Sequence, residues 1–93
     1  MALYVVVWHY VDNTELVDRV RPDHRNYLRG LGESGRLQAG GPFADASGGV
    51  LVYEVADEAE LTELIEDDPF SRNNVIARYD AWEWSPLMGP IKG

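Results

Sequence analysis

Residues 3 to 10, LYVVVWHY, form a run that is almost continuously apolar, β-branched or aromatic, and this predicts a central strand buried on both faces. The period then changes. Asp12-Asn13-Thr14 offers N-cap chemistry, and helical character continues to about Glu33, with Gly32 and Gly35 placed to end it. Within this region His24, Tyr27, Leu28 and Leu31 recur at i, i+3, i+4 and i+7, so an imidazole shares the core-facing stripe with three large hydrophobes. Pro22 lacks a backbone donor and predicts either a kink or a split into a short segment near 15–20 and a main helix from 22.

A second strand is expected over 36–43, RLQAGGPF, where Gly40-Gly41-Pro42 must bulge, turn or let another backbone approach closely. The hairpin connection falls within 44–49, and Val50 to Val55 make a third strand. Asp57 with Glu60 three residues on resembles a capping box and opens a second helix over 58–67, ended by Asp68-Pro69. Here Leu61, Leu64, Ile65 and Asp68 repeat the inward spacing of the first helix. Alternation between Val75 and Trp84 predicts a fourth strand, and residues 85–93 read as a loose tail.

The order β-α-β-β-α-β folds most simply as a ferredoxin-like α+β domain over residues 1–93, a four-stranded antiparallel sheet with both helices on one face. That leaves a second sheet face bare. The apolar character of strand one argues that this face is also covered, and in a chain of 93 residues the cover is expected from another subunit, packed sheet to sheet as a homodimer. If both helices follow parallel central strands and start from one end of the sheet, His24 and Asp68 lie level, roughly 15 Å along each helix.

Each stripe thus carries one titratable group where a hydrophobe normally sits. Burying either alone costs several kcal/mol, on the order of a small domain's whole stability, so the economical arrangement pairs them. A paired Asp68 fixes the imidazole tautomer and leaves the other ring nitrogen of His24 to exchange a proton in a cavity. The same spacing also serves a purely structural ion pair.

Charge and composition narrow the chemistry. Sixteen acidic residues against 8 basic ones give a formal net charge of -8, without a Lys/Arg cluster, which argues against nucleic acid or anionic membranes as partners. Zero cysteines exclude disulfides, thiolate metal sites and a cysteine nucleophile. The cytosol is the natural compartment, and neither a signal peptide nor a membrane span is expected. With 2 histidines and no close His-x-His or His-x-x-x-His pair, no metal or other cofactor is expected. The serines lack a nucleophile-elbow context, and Asp67 is assigned to the solvated helix face.

Three motifs together, Arg21-Pro22-x-His24-x-x-Tyr27-Leu28, Gly35-x-Leu37-x-x-Gly40-Gly41-Pro42-Phe43 and Asp68-Pro69-Phe70, resemble the YciI-like, or YCII-related, family over almost the whole chain. The resemblance implies a dimeric ferredoxin-like α/β barrel whose active site contains the histidine and aspartate that match His24 and Asp68. It also implies a reaction class: the family's best-defined activity removes hydrogen chloride from a chlorinated hydroxyquinol, and most members have no assigned reaction. After Asp-Pro-Phe many relatives carry small residues and a glycine, whereas this chain has Ser71-Arg72-Asn73-Asn74, which bears on the substrate more than on the fold.

Candidate substrate contacts are Gly41, Pro42 and Phe43, through backbone donors or strand curvature, then Phe70, Ser71 and Arg72, and His9 at the end of strand one. The leading expectation is a small cofactor-independent lyase or isomerase acting on a compact oxygenated, cyclic or enol-like molecule, with His24 as general acid/base and Asp68 as its orienter. The rival is a non-catalytic small-molecule-binding or accessory domain that keeps the pair for folding. A third reading is a haem-degrading or quinone-forming monooxygenase on the related dimeric barrel.

Overall fold

The computed structural model describes residues 1–90 and arranges them as β1 (Ala2–Tyr10), α1 (Thr14–Glu33), β2 (Leu37–Pro42), β3 (Gly48–Val55), α2 (Glu58–Asp67), α3 (Pro69–Arg72) and β4 (Ile76–Trp84). The strands form one sheet in the order β2-β3-β1-β4, antiparallel at every neighbouring pair, so the architecture is the ferredoxin-like α+β arrangement. Residues 85–90 of the expected tail carry neither helix nor strand, and residues 91–93 lie outside the described residues.

Local chemistry sets the element ends. The Asn13 side chain caps α1 by accepting a hydrogen bond from Leu16 N. Proline does not split α1, which runs unbroken for 20 residues through Pro22. Pro22 and Asp18, whose carbonyl lacks the helical donor that proline cannot supply, are both exposed residues. At the other end Gly35 turns the chain at φ +81°, and Arg36 N returns to the Leu31 carbonyl at 2.9 Å.

α2 opens as its capping box requires, with Asp57 accepting from Glu60 N at 2.9 Å. The returning Glu60 carboxylate reaches one residue further back, to Ala56 N at 2.9 Å. α2 closes at Asp67, so Asp68 is not part of the helix: its φ of −64° and ψ of 134° are extended. Asp68 ends α2 and caps the short α3, with Pro69 in the first turn. The pattern of an Asp followed by Pro, a cap and a proline at the first helical position, is the signal that marks α3 in the sequence.

The helix-covered face of the sheet holds the core. Val6 and Trp8 of β1 and Leu51, Tyr53 and Val55 of β3 pack against Leu31, Leu61, Leu64 and Ile65. Val17, Val20, Phe70 and Val75 form a second cluster. The opposite face is open within the chain. It carries Leu3, Val5 and Val7 of β1, opposite Glu54, Val52 and Val50 of β3 and Trp84, Trp82 and Asp80 of β4. Of these, Trp82 is 56% exposed and Trp84 40%.

Close backbone approach falls at a different glycine pair from the one expected. A Cβ on Gly48 would stand 2.0 Å from the Trp8 carbonyl oxygen and one on Gly49 2.8 Å from that of Gly41, whereas one on Gly41 would meet nothing within 4 Å. β2 instead takes its register shift between Leu37 and Ala39, upstream of Gly40.

The helix directions also differ from the expectation. β1 and β3 are antiparallel, so the helices that follow them run in opposite directions along the sheet. Contacts between them confirm this, since His24 meets Asp68 while Tyr27, three residues further along α1, meets Leu64, four residues earlier. The pair still lies level because of the lengths. α1, with 20 residues, spans about 30 Å and carries His24 at its midpoint, whereas the 10 residues of α2 span about 15 Å from the other end.

Candidate active site

Among the described residues His24 and Asp68 are the buried polar or charged ones, at 7% and 0% exposure. His24 Nδ1 lies 2.8 Å from Asp68 Oδ1. The same oxygen accepts from Phe70 N at 2.8 Å, so the cap of α3 and the histidine contact share one atom. An ionised carboxylate can only accept, which places the proton on Nδ1 and leaves the Nε2 lone pair to the other side of the ring. Two aromatic side chains hold the imidazole in plane. Phe70 stacks on it, with centroids 3.8 Å apart and planes 6° apart, and Trp8 meets it edge-on at 5.5 Å.

Among the described residues two buried polar atoms lack partners, Asp68 Oδ2, an acceptor without a donor, and Tyr53 Oη, a hydroxyl without an acceptor. Burial, followed by the Asp68 charge, pushes the Tyr53 phenol well above its ordinary range. Tyr27 donates to the Leu64 carbonyl at 2.7 Å, and burial, with help from Asp68 and Asp67, pushes it up to about 12. Tyr10 is raised too, by burial first, with Arg21 pulling it partly back. All three tyrosines therefore stay neutral around pH 7 and can act as donors.

In front of the pair a pocket of about 110 Å³ opens, lined by His24 and Phe70, by the aromatic walls Trp8 and Tyr10, by Leu28 and Leu51, and by the β2 backbone at Gly40, Gly41 and Pro42. Arg21 and Arg25 complete it. His24, Asp68, Gly41, Pro42 and Phe70 are thus brought together. The other expected contacts are not. His9 follows the inward-facing Trp8 and points to the open sheet face, across from Gly48 and Arg78. Phe43 lies past the end of β2, outside the pocket lining. Ser71 lines a separate shallow groove with Ile65 and Tyr79. Arg72 reaches out to Asp67 at 2.7 Å, on the surface. Ser71 and Arg72 lie elsewhere because they follow Phe70 along α3, and His9 because strand alternation turns it away from Trp8.

Sequence reading assigned no role to Arg21 and Arg25. They sit at i−3 and i+1 from His24, so the stripe 21, 24, 25, 28 shares the histidine's face; read singly, charged helix residues look merely solvated. Among the described residues no group of three His, Cys, Asp or Glu converges to hold a metal, and no helix is long and apolar enough to cross a membrane.

The YCII-related domain family matches residues 2–85, and the chain belongs to it. A solved structure, 5-chloro-2-hydroxyhydroquinone dehydrochlorinase (TftG) from Burkholderia phenoliruptrix AC1100 in complex with 2,5-dihydroxybenzoquinone, is similar with a TM-score of 0.80 at 22% sequence identity, over 89% of this chain and 93% of that one. At that identity the likeness is one of fold. No curated protein matches the sequence.

Proposed function

We propose that this protein is a small cofactor-independent enzyme of lyase or isomerase type, with His24 as general acid/base and Asp68 as its orienter, acting on a compact oxygenated ring. The observation that carries this reading is the 2.8 Å His24–Asp68 contact, buried on one side and bordered by a pocket of about 110 Å³ on the other. Nε2 takes a proton from the substrate, and the electron pair left behind expels an anionic leaving group or accepts the proton at another atom. General acid/base catalysis contributes about 10² to 10⁴-fold, which suits an elimination or proton shift better than amide hydrolysis. A ring-bound dehydrochlorinase of the same fold supports a ring as substrate. Gly41, Pro42 and Phe70 are the contacts assigned to it.

A cytosolic homodimer completes the proposal. The open face with Val5, Val7, Val52, Trp82 and Trp84 fits a second copy of the chain laid sheet to sheet. Light scattering is expected to give twice the chain mass, and Trp82→Glu to give the single chain.

One observation favours the rival, a binding or accessory domain: Asp68 Oδ1 also caps α3, a structural task. His24→Gln separates the two. Screening halogenated and hydroxylated rings, an enzyme loses 10² to 10⁴-fold in kcat with the fold intact, as expected for a lost general base. Unchanged turnover removes His24 from the reaction, whereas no turnover of any ring by the parent protein, with a stability loss of several kcal/mol in His24→Gln, favours the rival.

A further inference from the structure

We propose that Arg21 and Arg25 form an anion clamp beside His24, and that the pocket takes a small planar monoanion whose charge lies on oxygen. This rests on the reading that the pocket is the substrate site. The two guanidinium groups lie four residues apart on one face of α1, with His24 between them, and both line the pocket. Like charges at this spacing repel and weaken a helix unless something negative lies between them. The chain carries a net charge of -8, so carboxylates abound, yet none among the described residues lines this pocket. Asp68 faces the far side of the imidazole. Among the described residues Arg21 pairs with Asp18 alone, at 2.6 Å, whose side chain is 68% exposed and shared with water. Arg25 is exposed and has no ion pair among the described residues.

The remaining walls are made for a flat apolar body. Trp8, Leu28 and Phe70 supply aromatic and aliphatic surface. An enclosed apolar cavity of about 150 Å³ holds one benzene ring; this pocket, at about 110 Å³, is smaller but open on one side, so it takes at most a single ring with one edge left in water. A planar guanidinium pairs two oxygens of a carboxylate side by side, and a phenolate by one contact. With the charge held at the arginines, the ring lies against the aromatic walls within reach of Nε2.

The test is an equilibrium titration of the full chain, followed by NMR shifts of the His24 ring and the arginine Nε–H groups. The probes are benzoate, 4-nitrophenolate and the neutral isostere benzamide. The expected result is that at least one anion binds about tenfold or more tighter than benzamide, weakens as salt rises, and loses about tenfold in Arg21→Gln and in Arg25→Gln while benzamide is unmoved. Preference for benzoate assigns a carboxylate, preference for 4-nitrophenolate a ring oxygen, and either supports the clamp. Anions binding no tighter than benzamide, affinity indifferent to both substitutions, or no binding by any probe overturns it. Backbone amide spectra of the variants establish that they are folded. Arginine-dependent benzoate binding that persists in His24→Gln, in a protein with no turnover, keeps the clamp and removes the catalytic proposal; turnover that ignores both arginine substitutions does the reverse.

Discussion

Asp67 and Asp68 are neighbours in sequence, each makes one contact of nearly equal length with a basic side chain, and their circumstances are opposite. Asp67 pairs with Arg72 at 2.7 Å with both side chains more than half exposed, while Asp68, fully buried, meets at 2.8 Å the His24 side chain, which is 8% exposed. Distance therefore says little about what either pair does. Water screens the first and competes for both partners, so its net worth is small. Water reaches the second only at the pocket edge of the imidazole, and each member is the other's compensation for lost hydration. Backbone conformation separates the two: α2 ends at Asp67, and the extended φ/ψ of Asp68 turns the next carboxylate inward as the cap of α3.

The contrast can be broken by substitution. Asp68→Ala strands a buried imidazole and uncaps α3, and is expected to cost about 3–5 kcal/mol by urea denaturation, the usual loss when one partner of a buried pair is removed. Asp68→Asn retains a capping oxygen, so a smaller loss there separates the cap from the charge. A loss below about 1 kcal/mol in Asp68→Ala would show that the pair is not held as described.

Alkaline titration sharpens the comparison next. The unfolded chain releases the Tyr27 proton near 10.0 and the folded chain near about 12, so the unfolded state loses it first. The stabilisation associated with a neutral Tyr27 is complete below pH 10 and is lost as the pH rises from 10 toward 12. Phenolate absorbance should follow this late step. Burial is its main cause and Asp68 outranks Asp67, so Asp68→Asn is expected to lower the midpoint more than Asp67→Asn. The reverse order would deny the asymmetry between the two acids.

On the exposed side, Arg72→Ala is expected to cost about 0.2–1 kcal/mol, an effect that fades further in high salt. The smallest change is Tyr53→Phe. Its hydroxyl is buried without a partner, so removing it is expected to leave stability equal or slightly higher, and a clear loss in thermal melts would reveal an unseen bond to Tyr53 Oη.

Much of this was readable from the chain. Apolar periodicity located both main helices and the fourth strand, since burial on one face imposes a period of 3.6 or 2, while a continuous apolar run marked the first strand, buried on both faces. The Asp57 cap and the Asp68-Pro69 stop were legible because both act over three residues or fewer. Periodicity also turned His24 and Asp68 inward, although for Asp68 the reason was a cap and not a helical stripe. Arg21 and Arg25 were missed because charge on a helix is ordinarily solvated, and a pocket wall is made by elements distant in sequence, here β2 and β3. The glycines of closest approach were misplaced for the same reason: Gly48 is crowded by the Trp8 carbonyl, a neighbour supplied by β1.

Local patterning, then, specifies which segments are helix or strand and which side chains leave water, because caps, turns and amphipathic stripes are short-range physics. The directions of the helices and the meeting of His24 with Asp68 come from the order β2-β3-β1-β4, which makes the central strands antiparallel and brings the midpoint of a long helix to the end of a short one. That meeting depends on chain reversal and relative length across 44 residues, and no window along the sequence contains it.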